Sequence, residues 1–173
     1  PIWAYHVILG QLVIQRRQGN RPVFRVRRKY GPQTSTPEME WLVDWETKCT
    51  DPAFDEVLMN SKPQASARWE LVAKHAYRDG RLAPLSYSFT TKYPFEVELN
   101  VAPWIAMTVA DCNGKNSGND LYEALRKKAP VPREEFVAAL KALVGSQFVT
   151  IAAVPATEPV KSLDSKRHYW LES

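Results

Sequence analysis

The side chains best placed to act together are cations. Arg16, Arg17, Arg21, Arg25, Arg27, Arg28 and Lys29 all fall within residues 1–36, which contain no acid, so this stretch carries a local charge of +7. In residues 23–30 they alternate with apolar groups: Arg25, Arg27 and Lys29 share one side of an extended chain, while Phe24, Val26 and Tyr30 share the other with Arg28. Cations on one side of a strand repeat about every 7 Å, similar to the spacing of nucleic-acid phosphates. Guanidinium groups pair phosphate bidentately and stack on bases, and Trp3, Tyr5, Phe24 and Tyr30 are nearby stacking platforms. The bland alternative is a buried aromatic face beneath a solvated arginine face.

Chemistry of other kinds finds less to work with. Gly114-Lys115-Asn116-Ser117 looks like the end of a phosphate-binding loop, but the first glycine is missing and Asn116 separates Lys from Ser. Asp111, Asn113 and Lys115 fail as a calcium loop because the fifth position would be cationic and no Glu stands at the twelfth. His6, His75 and His168 have no ligand partner close in sequence, and Cys49 and Cys112 form no CxxC, so neither a metal nor any other cofactor is expected. No Gly-x-Ser-x-Gly or His-Glu-x-x-His occurs. An active site would have to be assembled from residues distant in the chain.

The charge of residues 1–36 is followed by its opposite. Residues 37–60 hold Glu38, Glu40, Asp44, Glu46, Asp51, Asp55 and Glu56 against Lys48 alone, a local charge of −6 within a chain whose net charge is +4. These acids read as a solvated face that also offsets the basic segment. At 173 residues and 45% hydrophobic content the chain suits one domain, with residues 1–47 as a basic hairpin plus acidic strand and 155–173 as a C-terminal extension. Apolar runs near 8–14 and 149–154 are too short to span a bilayer, and no signal segment is evident, so a cytoplasmic protein with reduced thiols and no membrane contact is expected.

The elements that must position the cations follow from periodicity. Residues 2–15 read as a strand, 16–20 as a hairpin turn, 23–30 as its partner, and 40–46 as a further strand with Trp41, Val43 and Trp45 on one side. Residues 48–63 read as a long connection with a helical turn at 54–59. In 65–77, Trp69, Val72, Ala73 and Ala76 recur at helical spacing and Gly80 stands where a helix would stop. Strands follow around Leu85, Tyr87 and Phe89, over 95–101, and over 104–109. Ser117 and Asp120 form a variant capping box for a helix through Lys128, and a second helix runs from Pro132 to Gly145. Residues 147–154 are a final core strand, 155–164 a loop, and 168–171 one more short strand.

In residues 95–154 a strand leads to Lys115-Asn116-Ser117-Gly118, then Leu121 and Leu125 on a helix, then Leu143-Val144-Gly145 before Phe148, Val149 and Ile151. This pattern resembles phage and plasmid single-stranded-DNA-binding-like proteins with an OB-type barrel. The resemblance implies a barrel with a nucleic-acid groove, in which Arg25, Arg27 and Lys29 neutralise phosphates, Arg16, Arg17 and Arg21 form a fingertip, and Tyr30 stacks on a base. The expected class is therefore α+β, mainly antiparallel, an OB-like or partly open barrel with two to three helices. The expected function is non-enzymatic binding of single-stranded DNA or RNA, within a nucleoprotein assembly. A protein-interaction module of viral or mobile-element origin, a homo-oligomer included, is the alternative, motivated by the adjoining +7 and −6 segments and by six tryptophans.

Overall fold

A computed structural model describes residues 24–31 and 34–151. The expected strand at 2–15, the turn at 16–20 and everything beyond Ile151 lie outside them. The fold is α+β and its strand pairings are antiparallel. Four strands, β1 (Lys29–Tyr30), β3 (Glu70–Arg78), β4 (Arg81–Thr91) and β5 (Phe95–Val101), form one sheet in the order β1-β5-β4-β3. A small second sheet pairs β2 (Pro63–Ala65) with β6 (Val149–Ile151).

Among the described residues these strands do not close into a barrel. β3 forms one edge of the larger sheet, and the other edge is covered only by the two residues of β1. The described residues hold five helices where two to three were expected: α1 (Thr36–Cys49), α2 (Ala53–Asn60), α3 (Pro103–Asp111), α4 (Gly118–Arg126) and α5 (Arg133–Gly145). Together they bury the sheet face that carries Phe89 and Val101, the work a second sheet would do in a sandwich.

The expectations for β5, α4 and α5 are the ones that hold. Ser117 caps α4 through the Asp120 N–H, at 3.1 Å, while the Asp120 carboxylate accepts from the Ser117 N–H at 2.9 Å. α5 places Phe136, Leu140, Leu143 and Val144 in the core. Phe148 and Val149 then enter it from the following turn and β6, both with no exposed surface. Phe89, Phe148 and Trp69 meet there, with ring centroids 4.7 Å apart for Trp69 and Phe89 and 5.5 Å for Phe89 and Phe148.

Four elements differ from expectation. Residues 40–46 belong to α1, not to a strand. Trp41 and Trp45 lie one helical turn apart and stack at 6.0 Å, and Ser35 with Glu38 and a proline in the first turn supply the start signal. Residues 104–109 are likewise helical, with Pro103 opening α3 and Thr108 donating back to the Trp104 carbonyl at 2.9 Å. The turn expected at 54–59 extends to the full helix α2.

The fourth difference is the largest: 65–77 is not a helix but runs from Ala65, the last residue of β2, through most of β3. Asp79 and Gly80 both have positive φ, 51° and 78°, and lie between the paired residues Arg78 and Arg81, so they form a two-residue hairpin turn of the type that joins right-twisted strands. Gly80 marks a hairpin tip, where helical spacing had suggested a helix end. Past Tyr87 the β3–β4 ribbon leaves the core, with Tyr77 74%, Leu82 70% and Leu85 58% exposed. The register slips once, between Lys74 and His75, which adds a local bulge and twist.

The start of α1 is tied to the β4–β5 turn. Tyr93 donates its hydroxyl to Glu38 at 2.8 Å, Ser35 donates both its N–H and its hydroxyl to the same carboxylate, and Arg68 lies 4.3 Å above the Tyr93 ring. The Ser35 hydroxyl, and after it that of Tyr93, holds the Glu38 carboxyl down from about 4.5 to about 2. A carboxyl that ionises more readily when folded contributes stability that is complete above its ordinary value and is lost as pH falls through the folded one. Urea midpoints should therefore fall between pH 4.5 and pH 2 in the native chain, and Glu38→Gln should flatten part of that fall. The Ser117 hydroxyl holds Asp120 low as well, so some slope should remain in that variant. A pH profile identical in both proteins would show that the tie does not form.

Candidate nucleic-acid interface

Arg16, Arg17 and Arg21 fall outside the described residues. Of the other predicted cations, two are already engaged. Lys29 pairs with Glu96 on β5 at 2.7 Å, and Arg28 reaches Glu46 on α1 at 3.6 Å. Tyr30, 38% exposed, places its hydroxyl 3.1 Å from the Met39 sulfur and so turns towards α1. Arg25 and Arg27 are exposed and make no ion pair with a described residue.

The acidic segment is spent mostly on other partners. Asp55 pairs with Lys141 and Glu56 with Arg133 at 3.0 Å, both on α5, while Asp44 pairs with Lys48 at 2.7 Å within α1. Among the described residues only Glu46 reaches the basic strand, so there the expected offset of one segment by the other is a single contact. Beside it a cleft of about 500 Å³ lies between β5, α1 and α5. Arg27, Arg28, Lys29 and Lys141 alternate there with Glu46, Glu96 and Glu98 over a floor that includes Trp45 and Leu99, so the cleft has no single sign of charge to offer a polyanion.

The candidate residues that sequence reasoning missed lie on the ribbon. Strand pairing places Lys74 and Arg78 on the same face of β3, with Arg81 directly across from Arg78. None of the three is in an ion pair with a described residue. Tyr77 stands beside them on the opposite face, across from Leu82. An exposed phenol on one face of a narrow two-stranded arm, with cations on the other, is a combination that can stack on a base and hold phosphates that pass around the arm. The signal was available: Asp79-Gly80 between two runs of alternating residues is a strong hairpin signature.

Little else is poised for chemistry. Burial pushes the Cys112 thiol up to about 12 and Cys49 to about 11, so both are protonated and poorly nucleophilic at neutral pH. The Lys115-Asn116 loop is closed by the Asn113 side chain, which accepts from the Lys115 N–H at 2.9 Å, and leads directly into the Ser117 cap instead of cradling an anion. Among the described residues, no three His, Cys, Asp or Glu side chains gather in a metal-holding group, and no helix is long and apolar enough to cross a membrane. A comparison with protein-family models and with curated proteins finds no match to this chain.

Proposed function

We propose that the protein is a non-enzymatic binder of single-stranded nucleic acid, and that the β3–β4 ribbon is its principal contact. The observation that carries this reading is the projecting ribbon itself, with Lys74, Arg78 and Arg81 unpaired by any described residue beside the exposed Tyr77. Arg25 and Arg27 supply further cations from the other edge of the sheet, and the resemblance of residues 95–154 to single-stranded-DNA-binding-like proteins with an OB-type barrel points the same way. Flat stacking on Tyr77 favours an unpaired base over a closed duplex.

Anisotropy of a labelled oligothymidylate during a salt titration tests it. Each neutralised phosphate of a single strand adds about −0.7 to the slope of log affinity against log salt, so five such cations imply a slope near −3.5. Reversal of Arg27 and Arg81 together should make the slope clearly shallower and weaken binding at low salt by tenfold or more, to an order of magnitude. Tyr77→Ala should weaken binding at every salt concentration by the ~1–3 kcal/mol of a lost stack. Affinity that ignores salt, or that survives the double reversal, would sink the proposal. The exposed Leu71, Leu82 and Leu85 favour a second reading in which the same ribbon contacts protein.

A further inference from the structure

We infer that β3 is also the edge through which two copies of this chain join, strand to strand and antiparallel. The strand is nine residues long and contains no proline, yet it has no strand beyond it among the described residues, and no described strand takes up its outward N–H and C=O groups. It also carries apolar side chains to the same edge, with Leu71 46%, Val72 39% and Tyr77 74% exposed.

The sequence of the strand is complementary to itself. In an antiparallel pair centred on Lys74, all nine residues overlap and cross-strand partners share a face. Glu70 then meets Arg78 of the second copy, Leu71 meets Tyr77, and Val72 meets Ala76, each contact occurring twice across the two-fold axis. The one adverse contact is Lys74 with its own copy. Other occupants fit less well: residues 152–173 bring Pro155 and Pro159, which donate no N–H to a ladder, and offer an expected strand of four residues, 168–171, against the nine of β3, while residues 1–23 lead into β1, at the opposite edge of the sheet. A polyanion has no use for the exposed Leu71 and Val72.

Sedimentation velocity of the full chain without nucleic acid tests this independently of the binding function. A reversible dimer is expected. Glu70→Arg or Arg78→Glu alone should raise its dissociation constant about tenfold, because each change acts twice, and the double exchange Glu70→Arg with Arg78→Glu should restore it. Lys74→Thr should tighten it severalfold. Circular dichroism of each variant separates loss of pairing from loss of folding. A monomer at every concentration overturns the inference, as does a dimer indifferent to these changes or one the double exchange fails to rescue.

Discussion

Phe148→Ala should lower the stability of this protein by about 3–5 kcal/mol, the range for removing a fully buried aromatic ring. Phe148 has no exposed surface and sits between Phe89 on β4 and Trp69 on the segment leading into β3, so one ring connects the larger sheet to the helix-to-β6 turn. Its backbone is fixed independently of the ring: its N–H donates to the Leu143 carbonyl at 3.0 Å and its own carbonyl accepts from Ser66 at 2.9 Å. The site therefore cannot collapse to fill the void, which places the cost towards the upper end of the range. Against a typical total of 5–15 kcal/mol, that is a large fraction, equivalent to a drop in melting temperature of roughly 6–20 °C. Phe148→Leu should recover much of it. A calorimetric melt of the alanine variant within a degree or two of the parent would mean that the three rings are not the centre of the core.

The second large effect is expected from Gly31→Ala. Gly31 is buried directly after β1, where its N–H donates to the Thr34 hydroxyl at 2.8 Å and its carbonyl accepts from the Thr34 N–H at 3.2 Å. A Cβ here would overlap the Lys92 carbonyl oxygen and come within 3.1 Å of the Pro94 carbonyl oxygen. Both obstacles are backbone, so no side chain can swing aside. The cheapest relief is for the chain to leave the sheet, and β1 is held by only two residue pairs, Lys29 with Glu96 and Tyr30 with Phe95. We expect a loss of about 1–3 kcal/mol. Freed from β5, Arg25 and Arg27 would lose their fixed place, so the salt dependence of oligonucleotide binding should become shallower by up to about 1.4. Denaturant titration and anisotropy on one preparation read both effects; parental stability would show that the strand does not pack at this edge.

How much of this could be read in advance depended on whether local signals agreed with each other. In α4 and α5 capping, periodicity and flanking prolines all point to helix, and β5 alternates Glu96, Glu98 and Asn100 with apolar residues over its full length. In 40–46 the tryptophans fit both periods, and the deciding information sat upstream, in Ser35, Pro37 and Glu38. In 65–77 the spacing of Trp69, Val72, Ala73 and Ala76 is helical by coincidence: Trp69 packs on Phe89 and Phe148, whereas Val72 lies on the opposite side of the sheet, across from Ser88. That error concealed the ribbon, and with it Lys74, Arg78 and Arg81. The cations that stood out in sequence were only partly available, because a clustered charge attracts counter-charges that no local pattern reveals: Glu96 lies 67 positions from Lys29 and touches it.

The glycines divide the molecule by its latitude for change. At Gly145 a methyl group would fall 2.8 Å from the Trp45 indole nitrogen, so the helical layer admits almost no variation there. At Gly80, on the ribbon tip, an added Cβ meets nothing within 4 Å, and the one constraint is a left-handed backbone that asparagine also tolerates. Descendants of this sequence could alter or lengthen the tip, and so change what the arm presents, while the interior that folds it stays fixed.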